Sequence, residues 1–202
     1  MRPQTTRVDR WWTALVALGL GFSMSGCGGG GVSPEQQAAV DKKQTMVVQR
    51  NMWWGPGRWP GMKVVYTTNY KMGPMIPVNA KVTFEAINKN QVSFRYNGNL
   101  IILRNMPKHT QTNMSQMLDR YFGTQKVDLS KFTKMEQDNI KKGNVAVGMS
   151  KAAVLVARGY PPASATPSLE ANDWKYWKSQ AGYVSDTIVV HFANGKVSGF
   201  TD

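Results

Sequence analysis

Between residues 62 and 105 apolar and polar side chains alternate with a period of two. In "KVTFEAI" Val82, Phe84 and Ala86 oppose Lys81, Thr83 and Glu85, and in "QVSFRYN" Val92, Phe94 and Tyr96 share one side. That alternation predicts half-buried strands. "MKVVYTTN" before them, separated by the turn-rich "YKMGPMIP", and "NLIILRN" after them complete a set of four. Asn97-Gly98 between the last two predicts a tight hairpin, because both positions tolerate positive φ. Four strands sharing one apolar face predict a small barrel or a tightly curled antiparallel sheet over residues 45–106.

The period then changes to that of a helix. In "NMSQMLDRYFG" Met114, Met117, Leu118, Tyr121 and Phe122 form one stripe, Asn113 and Gln116 fit a capping box, and Gly123 ends the run. This helix is expected to pack on the preceding sheet, within a connector at 107–132 that has polar joins on both sides. Thr133 and Glu136 cap another helix through Lys142, stopped by Gly143. Ser150 opens a further element that Gly159 and Pro161 stop, but its middle, "AAVLVA", is too uniformly apolar for periodicity to separate helix from buried strand. Trp174 and Tyr176 are spaced for one face of a strand. "SDTIVVHF" puts Ile188, Val190 and Phe192 on one side, and Asn194-Gly195 turns the chain into "KVSGF". Upstream, Ser33, Pro34 and Gln36 start a short helix to about Lys42. The order predicts an α+β chain: a β module at 45–106, the connector, and an α+β module at 133–202.

The first 31 residues follow neither period. Arg2, Arg7 and Arg10 precede "WWTALVALGLGFSM", an uncharged run shorter than the ~20 residues of a membrane-spanning helix. A basic start, a short apolar stretch and small residues at its end read as an export signal over 1–26. The only cysteine follows: Met24-Ser25-Gly26-Cys27 resembles the lipobox of bacterial lipoproteins, with Met24 where Leu is usual. The resemblance implies cleavage between Gly26 and Cys27 and lipid attachment at Cys27, with Gly28–Gly31 and the short helix (27–44) tethering the body to a membrane. Gly28 is not the Asp that directs inner-membrane retention in many lipoproteins. The expected place is therefore the periplasmic face of the outer membrane.

Charge narrows the partners. The chain carries 25 Lys and Arg against 12 Asp and Glu, a formal charge of +13, and loss of the signal would leave +11. In a cytosolic chain that balance would point to nucleic acid. Export and the lack of a nucleic-acid motif make nucleic acid an unexpected partner. Lipid headgroups, lipopolysaccharide, peptidoglycan carboxylates or an acidic envelope protein are the available anions, while the scatter of Lys and Arg favours a plain solvated basic surface over any one of them.

Chemistry-bearing residues are few. His109, in polar "PKHTQT", and His191, opposite the apolar face of its strand, are the two histidines, and they fall in different modules. Glu85 and Glu170 are isolated carboxylates. No nucleophile motif, phosphate loop or metal-spaced cluster is visible, so neither catalysis nor a cofactor or metal is expected. Recognition has two candidate places. Trp53, Trp54 and Trp59 lie in the Gly/Pro-broken "RNMWWGPGRWPG", either as an exposed surface or folded back over the β module. Lys175 and Trp177 face outward if Trp174 and Tyr176 face the core, unless the loop at 164–168 covers Trp177.

Two resemblances add to this. "MIPVNAKV" is similar to the "IPxGxxV" segment of bacterial SH3-like domains, with Asn79 at the glycine position. Gly148-Met149-Ser150, Val154, Gly159-x-Pro161, Trp174-x-Tyr176, Phe192 and Gly195-x-Val197 resemble the BamE (SmpA/OmlA) family over residues 133–202. That family consists of outer-membrane lipoproteins with a two-helix, three-strand domain, so the resemblance implies that "AAVLVA" is helical. BamE itself is small and lacks a preceding β module, and the same domain shape serves β-lactamase inhibitors. The expected function is therefore an assembly or scaffold lipoprotein that binds an envelope protein, with a peptidoglycan- or peptide-binding module as the alternative and an envelope hydrolase third.

Overall fold

The computed structural model describes residues 32–68, 71–180 and 183–201. The expected export signal, the Gly26/Cys27 cleavage point, lipidation at Cys27 and the tetraglycine tether lie outside the described residues.

The chain begins with α1 (Pro34–Asp41), whose Ser33–Gln36 capping box forms as expected. The strands that follow are β1 (Thr45–Val48), β2 (Met52–Trp53), β3 (Gly55–Pro56), β4 (Lys63–Tyr66), β5 (Met75–Ile76), β6 (Lys81–Asn88), β7 (Gln91–Tyr96) and β8 (Asn99–Arg104). Then come α2 (Pro107–Thr110), α3 (Met114–Tyr121), β9 (Phe122–Gly123), a 3-10 turn at Leu129–Lys131, α4 (Lys134–Lys142) and α5 (Lys151–Arg158). β10 (Asp173–Gln180), β11 (Tyr183–Ala193) and β12 (Lys196–Thr201) close the chain. The protein is α+β.

Most of the first half is one seven-stranded sheet in the order β3-β4-β8-β7-β6-β1-β9, and β2 pairs separately with β5. β7 and β8 meet at Asn97-Gly98, both with positive φ, as the hairpin predicts. The sheet is not a closed barrel: its edges, β3 and β9, do not bond each other, and β4 runs parallel to β8. A helix does the covering that closure would do. Met114, Met117, Leu118 and Tyr121 of α3 are buried in the same core as Val82, Phe84, Phe94 and Ile101. Phe122 follows them in, edge-on to Phe84 and Phe94 at 5.0 and 5.4 Å between ring centroids. The connector is thus part of the first core, and it also adds β9 to the sheet beside β1.

The second half is the expected pair of helices and an antiparallel β10-β11-β12 sheet. "AAVLVA" is helical, within α5. Trp174, Tyr176, Val190, Phe192 and Val197 face a core that also holds Ile140, Val154 and Ala157 from the helices. Glu136 ties the two helix starts together. It completes the α4 capping box with Thr133 and also accepts the Ser150 backbone N–H at the head of α5, at 2.8 Å.

One asparagine joins the halves, and a second ties the β module to the connector. Asn51 is fully buried; its Nδ2 donates to the carbonyls of Ile140 (2.6 Å) and Ala157 (3.1 Å), and its Oδ1 accepts the Val78 N–H at 2.7 Å. The last turns of α4 and α5 are therefore capped from the β module. Asn79 has φ +68, the left-handed region that glycine usually fills, and its amide both donates to and accepts from the Val127 backbone at 3.0 and 2.7 Å.

Candidate binding groove at the joint

A groove on the second half lies where the ends of α4 and α5 leave the sheet uncovered. It encloses about 380 Å³. Its floor is Tyr176, Ile188, Val190 and Phe200, the core-facing side of the sheet beyond the reach of the helices. Gly143, Asn144 and Val145 form one wall, Lys71 stands exposed at the edge, and the buried Arg158 lines the interior. Phe200 is 44 % exposed, so part of the apolar floor is open to water.

Local sequence explains the wall. Gly143 ends α4 at φ +64, a conformation that costs a side-chain-bearing residue energy. A Cβ there would also stand 2.6 Å from the Trp53 ring and 2.8 Å from the sulfur of Met75. Glycine is needed twice, once for the turn and once for the approach of Trp53. Trp53 in turn gathers the cations: Arg158 lies 5.7 Å and Lys71 5.8 Å from its ring centroid, within cation–π range. Arg158 is also 5.6 Å from the Tyr176 ring, whose hydroxyl donates to the Gly159 carbonyl at 2.8 Å. Lys71 donates to Asn144 Oδ1 at 2.8 Å. Burial lowers the Lys71 pKa, and the nearby Arg158 charge lowers it further. Burial likewise lowers that of Arg158 and raises that of Tyr176. No Asp or Glu lines the groove among the described residues.

The tryptophans of the first loop do not form one exposed surface. Trp53 is buried at the joint, which removes it from the candidate partner surface; the β2–β5 pair holds it against Gly143 instead of over a barrel. Trp54 is half-buried under Lys63, and only Trp59, 64 % exposed with Arg58 beside it, faces solvent. On the second sheet, Trp174 and Tyr176 are core, as expected, so Lys175 and Trp177 are on the outer face. Lys175 is exposed and Trp177 half-buried. His109 of α2 provides cover, edge-on to the Trp177 ring at 4.8 Å and held by a Ser164 contact.

His191 belongs to a row that the sequence order concealed. Its Nδ1 is 2.7 Å from Asp173 Oδ1 and its Nε2 2.6 Å from Thr201 Oγ1, so three strands contribute one residue each. The arrangement has the connectivity of a nucleophile, base and orienting acid. It lies on the outer sheet face, and none of the three residues lines the groove; acyl transfer would also need donors aimed at a developing oxyanion. Glu85 is taken up by Arg95 at 2.7 Å, and Glu170 is exposed. A second feature missed in the sequence is the stacking of Arg50 and Arg120 on the Tyr160 ring, at 4.5 and 4.4 Å. Its members are scattered over more than a hundred positions, so only the tertiary fold assembles them.

Among the described residues no three His, Cys, Asp or Glu side chains gather where a metal could sit, and no helix is long and apolar enough to cross a membrane. No family model, curated protein or solved structure matches this chain.

Proposed function

We propose that the protein is a non-enzymatic cell-envelope lipoprotein, BamE-like in its second half, which is anchored through Cys27 in the outer membrane and holds an envelope protein partner from the periplasmic side. The observation that carries the reading is the outer face of β10–β12. Both helices pack on the other face, leaving this one with exposed Lys175 next to half-exposed Trp177. An aromatic anchor beside a cation suits a partner with an acidic, partly apolar patch. The anchoring half of the reading rests on the basic start, the apolar run and Ser25-Gly26 before Cys27.

Two measurements test it. Cys27→Ala is expected to leave the chain unprocessed or release it from membranes; a variant that fractionates and labels with lipid like wild type overturns the anchor. A photo-crosslinking residue at position 175 is expected to trap one defined partner in intact envelopes, and Trp177→Ala to reduce that product with unchanged melting temperature. Crosslinking equal to that at a position on the far side of the molecule overturns the interface. The exposure of Trp59 favours a second reading, a wall-facing module, which requires sedimentation with isolated peptidoglycan that Trp59→Ala abolishes.

A further inference from the structure

The groove at the joint is separate from the face assigned to a protein partner, and nothing in that assignment uses it. Three properties define what would fill it. Its volume, about 380 Å³, falls in the range of small-molecule sites and far below what a folded partner would need. Its floor is apolar, a continuation of the second core, with Phe200 left 44 % exposed at the open end. Its lining is cationic, with exposed Lys71 and buried Arg158 both within 6 Å of the same Trp53 ring and no carboxylate among the described lining residues.

Lys71 and Arg158 share the Trp53 ring, and burial first, then the nearby Arg158 charge, disfavours the charged form of Lys71. An anion placed beside them favours the charged form of Lys71 and makes charge-assisted hydrogen bonds in a partly dry setting. An apolar tail on the anion would cover Ile188 and Phe200. The two parts act on different features of the groove: a free anion leaves the floor wet, and a neutral apolar molecule makes no charge-assisted hydrogen bond.

We propose that this groove binds a small amphiphilic anion, a carboxylate or phosphate monoester on an apolar tail, with the head between Lys71 and Arg158 and the tail on the Ile188–Phe200 floor. Trp53 is then the platform that holds both cations, and Gly143 is what lets it reach them.

Matched, water-soluble probes test the proposal on the full chain by calorimetry: phenylbutyrate, phenylbutyl phosphate, phenylbutanol and phenylbutylamine. At least one anion is expected to bind saturably and roughly tenfold or more tighter than the alcohol, with the amine weakest. Carboxylate preference would assign a fatty-acid-like or peptide-terminal ligand, and phosphate preference a lipid-phosphate headgroup. Lys71→Gln should cut anion affinity about fivefold without changing that for the alcohol, Lys71→Arg should restore it, and Phe200→Ala should weaken all four probes. Because Lys71 and Phe200 are outside the closed core, these variants should keep the wild-type melting temperature. Equal affinity for carboxylate and amine, an unchanged anion-to-alcohol ratio in Lys71→Gln, or no saturable binding of either anion at millimolar concentration would overturn it. The assay needs neither lipid nor partner, so its failure leaves the anchoring and interface readings standing, and theirs leaves this one.

Discussion

Replacing Asn51 by alanine removes the side chain on which both helix ends and one turn of the β module converge. The carbonyl of Ile140 keeps the Gly143 N–H as a second partner, at 3.0 Å. The Val78 N–H and the Ala157 carbonyl would lose the Asn51 amide, and the site is fully buried. Each buried polar group left without a partner costs about 1–3 kcal/mol, so the two together cost about 2–6 kcal/mol. Against a total of about 5–15 kcal/mol that is a large fraction, and for a chain of this size it lowers Tm by roughly 5–20 °C. Asn51→Asp separates polarity from shape. It sets a carboxylate oxygen against two carbonyls, at the present 2.6 and 3.1 Å, and should be at least as damaging as alanine at neutral pH but recover when protonated. Urea unfolding and calorimetry of both variants measure the loss. An Asn51→Ala protein within about 0.5 kcal/mol of wild type would refute the reasoning, because surface substitutions alone give changes that small.

Three further predictions concern the same framework. Burial alone would raise the pKa of Glu136, but hydrogen bonds from Ser150 and Thr133 outweigh it and bring the value down from 4.5 to about 2. Its stabilisation is then present above pH 4.5 and lost as pH falls through 2; Glu136→Gln should cost about 1–3 kcal/mol at pH 7 and flatten the stability profile across that window, which urea titrations at stepped pH would show. Gly143→Ala should destabilise by about 1–3 kcal/mol through the left-handed φ and the contact with Trp53, with a changed Trp emission spectrum; an unshifted Tm and spectrum would count against that packing. Phe192→Ala opens a hole beside Trp174, 4.7 Å away between ring centroids, and should cost about 3–5 kcal/mol, read as loss of cooperative unfolding in the second half.

How far the fold was legible depended on whether its cause was local. The capping boxes at Ser33, Asn113 and Thr133 are visible in the sequence because cap and partner are three residues apart, and all three form. The hairpin turns at Asn97-Gly98 and Asn194-Gly195 are local in the same sense. β1 went unread because "TMVV" is too short to alternate, and β2, β3, β5 and β9 are two-residue strands that exist only by virtue of their distant partners. Barrel closure was overestimated because the alternating pattern states that one face needs cover without stating what covers it, and α3 supplies the cover. The groove was invisible for a related reason. Lys71, Gly143, Arg158 and Phe200 are each ordinary in their own segments, and only the docking of Trp53 brings them together.

The joint itself bears on whether the two modules fold as separate units, the division proposed from the sequence. A docking surface made only of apolar contacts would leave each half intact, if sticky, when parted. Here the Asn51 side chain of the first half satisfies the Ile140 and Ala157 carbonyls of the second, while its Oδ1 is held by the Val78 N–H of its own half. If the halves can part, water reaches the Ala157 carbonyl and the Val78 N–H, so Asn51→Ala can cost no more than the free energy of docking. The variant would then show two thermal transitions, and proteolysis in the segment 124–133 would release a folded C-terminal fragment. If they cannot part, the orphaned groups stay dry, the full penalty falls on one transition, and cleavage in that segment unfolds both halves. The joint geometry favours the second outcome, since the amide that caps both α4 and α5 comes from the β module. A single sharp transition in the wild type, shifted as a whole by Asn51→Ala, is therefore the expected result, and two resolved transitions would return the chain to a pair of independent modules.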